Sequence, residues 1–308
     1  MIFQSRALGL EIFQNGFSWV VASGTAAAPR IERYETVISA DNILKPSIKE
    51  LNVTDPKKLG SAIIESYYRL STPTVRVSLS IPESAGKVIT LEMDAPVKSK
   101  EEGIDQIKWK LKKSFPLDLS DIHLDYQVLK ETAPGVSTLL VALVSRNIIN
   151  EYEELLLVNG LEPSKIDFTP FNIYRLFASQ LEIEEQLVFV ISCRGSLAVL
   201  IFQDGILDFF RSKQVSFALN DPVRLYREIN SSLLVYSDLK GGWKPQKVYY
   251  YAPPEVKPLF RNVIFEVTGT EPLHVDTDVF INSSRQKIDR KNLPDTLSAL
   301  GAAARSLG

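Results

Sequence analysis

Residues 7 to 37 carry three apolar runs separated by turn residues, and residues 187 to 215 carry the same arrangement again. In the first block the runs cover 7–12, 17–22 and 31–37, with Asn15-Gly16 between the first two and a loop around Ala28-Pro29. Asn-Gly between two such runs is a strong short-range hairpin signal. The second block, LVFVISCRGSLAVLIFQDGILDFFRSKQV, reads as strand, turn at Arg194-Gly195, strand, turn at Asp204-Gly205, strand. Laying Gly16 on Gly195 sets LGLEIFQNGFSWVVA over LVFVISCRGSLAVLI, apolar run on apolar run. A start made twice, about 180 residues apart, points to a duplicated, two-lobed α/β fold, for which 308 residues suffice.

Between the two starts, Thr54-Asp55-Pro56 predicts a helix whose face is Leu59, Ile63, Tyr67 and Leu70. Strict alternation at Val75, Val77, Leu79 and Ile81 predicts a half-buried strand. Residues 85 to about 140 break the rhythm. A strand over 87–93, an amphipathic helix over 98–115 with Ile104, Ile107, Leu111 and Phe115 inward, and strands at DYQVLKE and STLLVALVS form a small sheet-and-helix insertion in the first lobe. A helix over 147–159 stops at Gly160, a strand covers 164–168 and a helix 170–181. The charged run LEIEEQ marks the division into a first lobe, 1–181, and a second, 182–308. The second lobe continues with a helix over 222–238, a strand at KVYYYAP, a helix through PPEVKPLFRNVIFEVTG, a strand at PLHVDTD and an Ala-rich closing helix over 293–307.

A formal net charge of -2 and the lack of a basic stripe argue against a nucleic-acid partner. The single cysteine, Cys193, cannot form an internal disulfide and fits a reducing compartment. The start lacks a charged leader before an apolar core, and no run approaches the roughly 20 apolar residues of a membrane span. A cytoplasmic protein that meets a membrane only through a partner is expected. His123 and His274 lack metal-ligand spacing and read as surface or loop residues, and Asp118, Asp121 and Asp125 miss the spacing of a cation loop. Lys108, Lys110, Lys112 and Lys113 lie opposite the apolar helix face, as a solvated face does. Trp109 falls on that polar side, where a large aromatic is a candidate anchor for a partner; Phe115 and Tyr126 are further candidates.

Four stretches carry a family resemblance: LGLEIFQNGFSWVVA, IKWKLKKSFPLDLSDIHLDYQVL, LLVALVSRNIINEYEELLLVNGLEPSKIDFTPFNIYRLF, and LAVLIFQDG with YREINSSLLVYSDL. Over nearly its full length the chain resembles the PilM-type pilus assembly proteins, relatives of FtsA and of the cytoplasmic part of GspL. The resemblance implies an actin-like (ribonuclease H-like) fold, with ATP between the lobes and the insertion helping to form a peptide groove. It also implies a protein docked on the inner-membrane platform of a type IV pilus or a type II secretion-like machine, holding the cytoplasmic tail of a PilN-type bitopic partner.

An actin-like nucleotide site needs small residues at two phosphate hairpins and an Asp on each strand for the metal and its water. Where the family's first hairpin reads approximately Asp-Ile-Gly-Ser followed by a Lys, this sequence has Glu11, Ile12, Phe13 and Gln14, with Ser18 where the Lys would fall. The second Asp falls on Val190 or Ile191, and Cys193-Arg194 stands where Gly is expected. The adenosine-side turn, usually Gly-Gly, is Ala252-Pro253-Pro254, and proline removes N–H donors. Glu11, Asn15, Gly16, Ser18, Ser192 and Gly195 are thus expected to line the remnant of a nucleotide cleft, in a pseudo-ATPase scaffold without cofactor or metal. Two alternatives are a working magnesium-ATP switch with Glu11 as the metal-side carboxylate, and a filament-forming protein that pellets with rising concentration.

Overall fold

The computed structural model describes residues 6–94, 97, 99–112, 118–133, 135–181, 186–215 and 221–307. The chain opens with β1 (Ala7–Phe13), β2 (Gly16–Thr25) and β3 (Ala28–Ile38), followed by α1 (Pro56–Arg69) and β4 (Arg76–Ile81). The insertion follows as β5 (Gly86–Met93), α2 (Lys100–Leu111), β6 (Ile122–Ala133) and β7 (Val136–Ser145); α3 (Arg146–Leu157), β8 (Glu162–Phe168) and α4 (Thr169–Phe177) complete the first half. The second half comprises β9 (Leu187–Cys193), β10 (Ser196–Gln203), β11 (Ile206–Gln214), α5 (Pro222–Leu239), β12 (Lys247–Tyr251), α6 (Lys257–Thr268), β13 (Leu273–His274), α7 (Asp278–Ser283) and α8 (Leu297–Ala304).

The duplication is visible in the sheets. One has the order β3-β2-β1-β4-β8 and the other β11-β10-β9-β12-β13, with the same sense of pairing at each corresponding step. Both β1 and β9 are buried along their whole length, because helices cover both faces of each sheet. On the outer faces, α1 and α3 cover the first sheet and α5 and α6 the second. Between the sheets lies a core to which both halves contribute, including Val20 and Ile31 from the first sheet, Phe189 and Ile191 from the second, and Phe177 and Leu300 from α4 and α8.

The closing helix α8 packs on β1, β2 and β4 of the first sheet as well as on α4. Its sequence LSALGAAA has no large polar residue, and all eight positions are buried. A Cβ on Gly9 would strike the Ala299 carbonyl, and one on Gly301 the Asn172 carbonyl, so these two glycines set how closely α8 can approach β1 and α4. This placement also explains β4. The alternation around it predicts one solvated face, but Val77 through Ile81 are all buried. Val77, Leu79 and Ile81 enter the outer core, and α8 covers the other face, where Ser80 Oγ lies 2.6 Å from Ser298 Oγ and Ser78 Oγ 2.8 Å from Ser306 Oγ.

The insertion is a three-stranded sheet of order β5-β7-β6 with α2 packed on one face through Ile107 and Leu111. It extends to Ser145 rather than to about 140, because β7 runs directly into α3. The segment expected as a strand over PLHVDTD pairs only at Leu273–His274, and α7 begins at Asp278. His274 is accordingly half-buried with its ring edge-on to Tyr250 at 5.0 Å, not a surface residue, and burial lowers its pKa. The stretch proposed as the lobe boundary includes residues 182–185, which lie outside those described.

Candidate functional site

The two leading hairpins face each other across the inter-lobe cleft. β1 pairs with β2 so that Phe13 opposes Gly16, and the two loop residues are Gln14-Asn15, one position earlier than the Asn15-Gly16 turn the sequence suggests. The difference has a physical origin. The Gln14 carbonyl accepts from the Ile43 N–H at 2.8 Å and the Asn15 carbonyl from the Ser39 N–H at 2.8 Å, which ties the turn to the following loop. Gly16 then lies in β2, where a Cβ would meet the Val37 carbonyl and the Phe13 ring. Asn15 is exposed.

In the second hairpin Cys193 opposes Ser196, and the loop is Arg194-Gly195 with φ of 52° and 73°, the left-handed pair of a type I′ turn. Cys193 is therefore the counterpart of Phe13, Ser196 of Gly16, and Ile191 of Glu11. The overlay of Gly16 on Gly195 is off by one residue, and of the two positions open for the second carboxylate it is Ile191 that corresponds. Ile191 is buried in the inter-lobe core.

A polar row crosses the first sheet in register, Thr36, Ser18, Glu11, Ser80 and Asp167. The matching row in the second sheet, Ser212, Ala198, Ile191 and Tyr251, is mostly apolar. The duplicated sheets thus present unlike faces to the cleft.

Arg194 fills the space between them. Its Nη2 donates to Glu11 Oε2 at 3.2 Å, to the Asp295 carbonyl at 3.0 Å and to Ser18 Oγ at 3.4 Å, and its Nη1 donates to Asp295 Oδ1 at 2.6 Å. The guanidinium carbon lies 3.5 Å from the centroid of the Phe13 ring, a cation–π contact. Glu11 is 1% exposed. Burial raises its carboxyl pKa, and Arg194 opposes that shift. Burial is likewise the largest influence on Arg194 and works against its charge, but Glu11 and the other acidic groups around it, Asp295 among them, together outweigh burial and raise its pKa. A long side chain at φ 52° costs about 1 kcal/mol of backbone strain, and the ion pairs offset it. Burial pushes the Cys193 thiol well above its ordinary range, so it packs as an inert residue.

A second tie crosses the cleft beside the first. Ser196 Oγ donates to Glu83, which sits in a 3-10 turn, Glu83–Ala85, of the first half. Glu83 is 8% exposed, and burial raises its carboxyl pKa. A carboxyl raised on folding contributes stability that is full below its unfolded pKa and is lost as pH rises through the folded one. Glu83→Gln, which cannot ionise, should therefore stabilise the chain by on the order of 1–3 kcal/mol at pH 8 and by much less at pH 5. Urea unfolding at the two pH values measures this, and an equal effect at both would show that Glu83 does not titrate in this range. Ser192 is fully buried and its hydroxyl has no hydrogen-bond partner among the described residues, while Gly195 supplies the second left-handed turn position.

Beside the Ala252-Pro253-Pro254 turn is a cavity of about 810 Å³ lined by Gly195, Tyr251, Pro253, Pro254, Lys291 and Pro294, among others. Among the described residues no three His, Cys, Asp or Glu side chains group as a metal site.

A separate groove runs between the insertion and the body of the molecule, in two adjoining parts of about 340 and 500 Å³. Both parts share Asp125, Ala142, Asp167, Phe168 and Arg305. Tyr126 lines the larger part, and its hydroxyl reaches the Ser99 carbonyl at 3.3 Å. Trp109 is 79% exposed on α2 and lines neither part; Phe115 lies outside the described residues. Lys110 pairs with Asp94 at 3.1 Å. Arg194 and Asp295, which organise the inter-lobe cleft, went unrecognised as a pair in the sequence. An arginine at the first position of a tight hairpin turn was the available signal, whereas nothing in the sequence connects it to Asp295.

Two sheets of one topology, facing hairpins and a cleft between them define an actin-like fold. A chain of the PilM-PilN type IV pilus biogenesis complex is similar over 99% of both chains, with a TM-score of 0.81 at 17% identity. A Bacteroides thetaiotaomicron protein with an actin-like ATPase fold is similar with a TM-score of 0.55 at 12% identity, over 97% of this chain and 98% of that one. The cytoplasmic domain of EpsL, an inner membrane component of the type II secretion system of Vibrio cholerae, is similar with a TM-score of 0.51 at 13% identity, over 96% of this chain and 95% of that one. No known protein family matches the sequence, and no curated protein does. The expected PilM-like architecture, a duplicated actin-like fold with an insertion in its first half, is thus observed. Among the described residues no helix is long and apolar enough to cross a membrane.

Proposed function

We propose that this chain is a cytoplasmic scaffold of the inner-membrane platform of a type IV pilus or type II secretion-like machine. It holds the cytoplasmic tail of a PilN-type membrane protein in the groove beside the insertion, and it does so without hydrolysing ATP. Full-length similarity to a chain of the PilM-PilN complex supports the setting. The observation that carries the loss of nucleotide chemistry is Arg194, whose guanidinium is bound by Glu11 and Asp295 and stacked on Phe13 where phosphates and magnesium would have to sit.

The residues present do not fit a nucleotide with its metal. Glu11 is already neutralised by an internal cation, its counterpart Ile191 has no oxygen, and the Ala252-Pro253-Pro254 turn lacks two of the N–H donors a close glycine turn would offer. The working-switch reading requires Glu11 to exchange a buried guanidinium for a hydrated metal, and no side chain of the second sheet compensates for that exchange. Lobe closure in this protein is instead maintained from within, by Arg194 and by the Ser196–Glu83 bond.

Two measurements test the proposal. A ligand at 100 times its dissociation constant stabilises a protein by about 2.7 kcal/mol. Millimolar magnesium-ATP should leave the thermal midpoint unchanged, and a rise of several degrees would restore the switch reading. Separately, a pull-down should capture the cytoplasmic tail of the bitopic membrane protein encoded beside this chain; if no such tail is retained, the scaffold reading fails.

A further inference from the structure

A second recess lies on the outer face of the first sheet, between α1 and α3. The two helices meet at Gly60 and Asn159, so closely that a Cβ on Gly60 would strike the Asn159 amide. Beside that contact opens a trough of about 870 Å³, bounded on one side by α1 with the loop before it and on the other by α3. Ile149 and Glu153 of α3 line the groove beside the insertion instead, so α3 separates the two recesses.

The trough displays apolar side chains that a fixed framework holds out to solvent. Val53, Pro56 and Leu155 line it, with Leu51 62% and Val158 79% exposed among them. The loop that carries Leu51 is pinned and does not fold it inward. Asn52 is fully buried, and its amide donates to the Ser47 and Glu50 carbonyls at 2.9 and 2.8 Å. The Glu151 carboxylate of α3 accepts from the Asn52 and Val53 N–H groups at 2.6 and 2.9 Å. Single exposed apolar residues are ordinary, but a cluster of them rimmed by polar groups marks an interaction site.

Charge is divided between the walls. Lys49 and Lys57 stand on the wall of α1 and its loop, and Glu154 on the wall of α3. Among the described residues none of these three has an ion-pair partner. A surface of one sign suits a polyanion or a lipid headgroup, whereas opposed signs on two walls select a segment with acid along one edge and base along the other. No strand of a sheet borders the trough, so an extended chain finds no ladder to join. A helix satisfies its own backbone and needs only an apolar stripe to enter such a site.

We propose that this trough is a docking site for an amphipathic helix of a partner protein, whose apolar stripe covers Leu51, Leu155 and Val158 while its acidic edge lies along Lys49 and Lys57 and its basic edge along Glu154. The inference goes beyond the scaffold reading and does not rest on it, because the trough shares no lining residue with the groove beside the insertion.

The probe is a phage-displayed library of a folded helical scaffold with one helix face randomised, selected against the full chain. Binders should carry an apolar stripe at helical spacing, flanked by acidic positions on one side and basic positions on the other. Leu51→Glu and Val158→Lys, both at exposed positions, should each weaken them about tenfold at an unchanged thermal midpoint. Lys57→Glu should weaken them about threefold, and changing the opposing acid of the binder to lysine should restore the loss. Binders indifferent to both Leu51→Glu and Val158→Lys, or a library that yields none, overturn the proposal. Sedimentation equilibrium and flotation with phosphatidylglycerol vesicles test the other occupants. A dimer that Val158→Lys dissociates, or vesicle binding that it abolishes, overturns the partner helix in favour of a second copy or a membrane.

Discussion

Replacing Arg194 with alanine is expected to lower the stability of the chain by about 3–5 kcal/mol, the usual consequence of stranding a buried charge. Glu11 is 1% exposed and Arg194 is its cation, at 3.2 Å. Without the guanidinium, Glu11 must either stay ionised in an apolar core or take up a proton, and both cost free energy. Asp295, with a side chain 37% exposed, can turn to water and contributes less. Two companion variants separate the pair from its surroundings. Glu11→Leu combined with Arg194→Met removes both charges and should recover most of the loss, because a well-packed apolar pair often matches a buried ion pair. Arg194→Gly should fall about 1 kcal/mol short of the alanine loss, since glycine accepts φ 52° without strain. Urea unfolding followed through the buried Trp19 measures all three, and an alanine variant within 1 kcal/mol of the parent would mean that Arg194 does not hold the lobes together.

Gly301→Val is expected to cost about 3 kcal/mol or more by a different route. The added carbon would overlap the Asn172 carbonyl in α4, and backbone cannot move aside as a flexible side chain can. All eight residues of α8 are buried between the sheets, so a shift of this helix disturbs its packing against β1, β2, β4 and α4 together. Gly241→Ala is the control. Gly241 has φ 68° and no atom within 4 Å of an added Cβ, so its substitution should cost only the backbone strain of about 1 kcal/mol. Denaturant midpoints that fail to separate the two variants would show that close approach of α8 is not what Gly301 provides.

Much of the fold was legible because local rules and tertiary structure agree. Asp55 accepts from the Lys58 N–H and starts α1 at Pro56, as the Thr-Asp-Pro signal requires. Gly160, at φ 75°, follows α3 as a stop. Arg194-Gly195 and Asp204-Gly205 take the paired positive φ angles of two-residue hairpin turns. Where local rules misled, a distant partner was responsible. The alternation in β4 implied a solvated face that α8 in fact covers, and Asn-Gly implied a turn one residue later than the one that Ser39 and Ile43 fix through the carbonyls of Asn15 and Gln14.

The candidate site was legible by subtraction. Phe13, Ile191 and the two prolines after Ala252 stand where the resemblance leads one to expect small residues, a carboxylate and N–H donors. They do not reveal the ion pairs of Arg194, because these join residues 11, 194 and 295, which no spacing rule connects. The groove shows the same limit, since β6 and β8 come to line it together only after two sheets have formed and packed.

Residue type and short-range periodicity account for most of the strand and helix order, for the doubled start and for the large side chains at the two hairpins. Packing in three dimensions settles the rest: α8 supports the first sheet, Arg194 bridges the two facing hairpins, and the groove lies between the insertion and the second half. Each of these is a contact between segments far apart in sequence, formed because burying apolar surface and pairing buried charge are satisfied in space rather than along the chain.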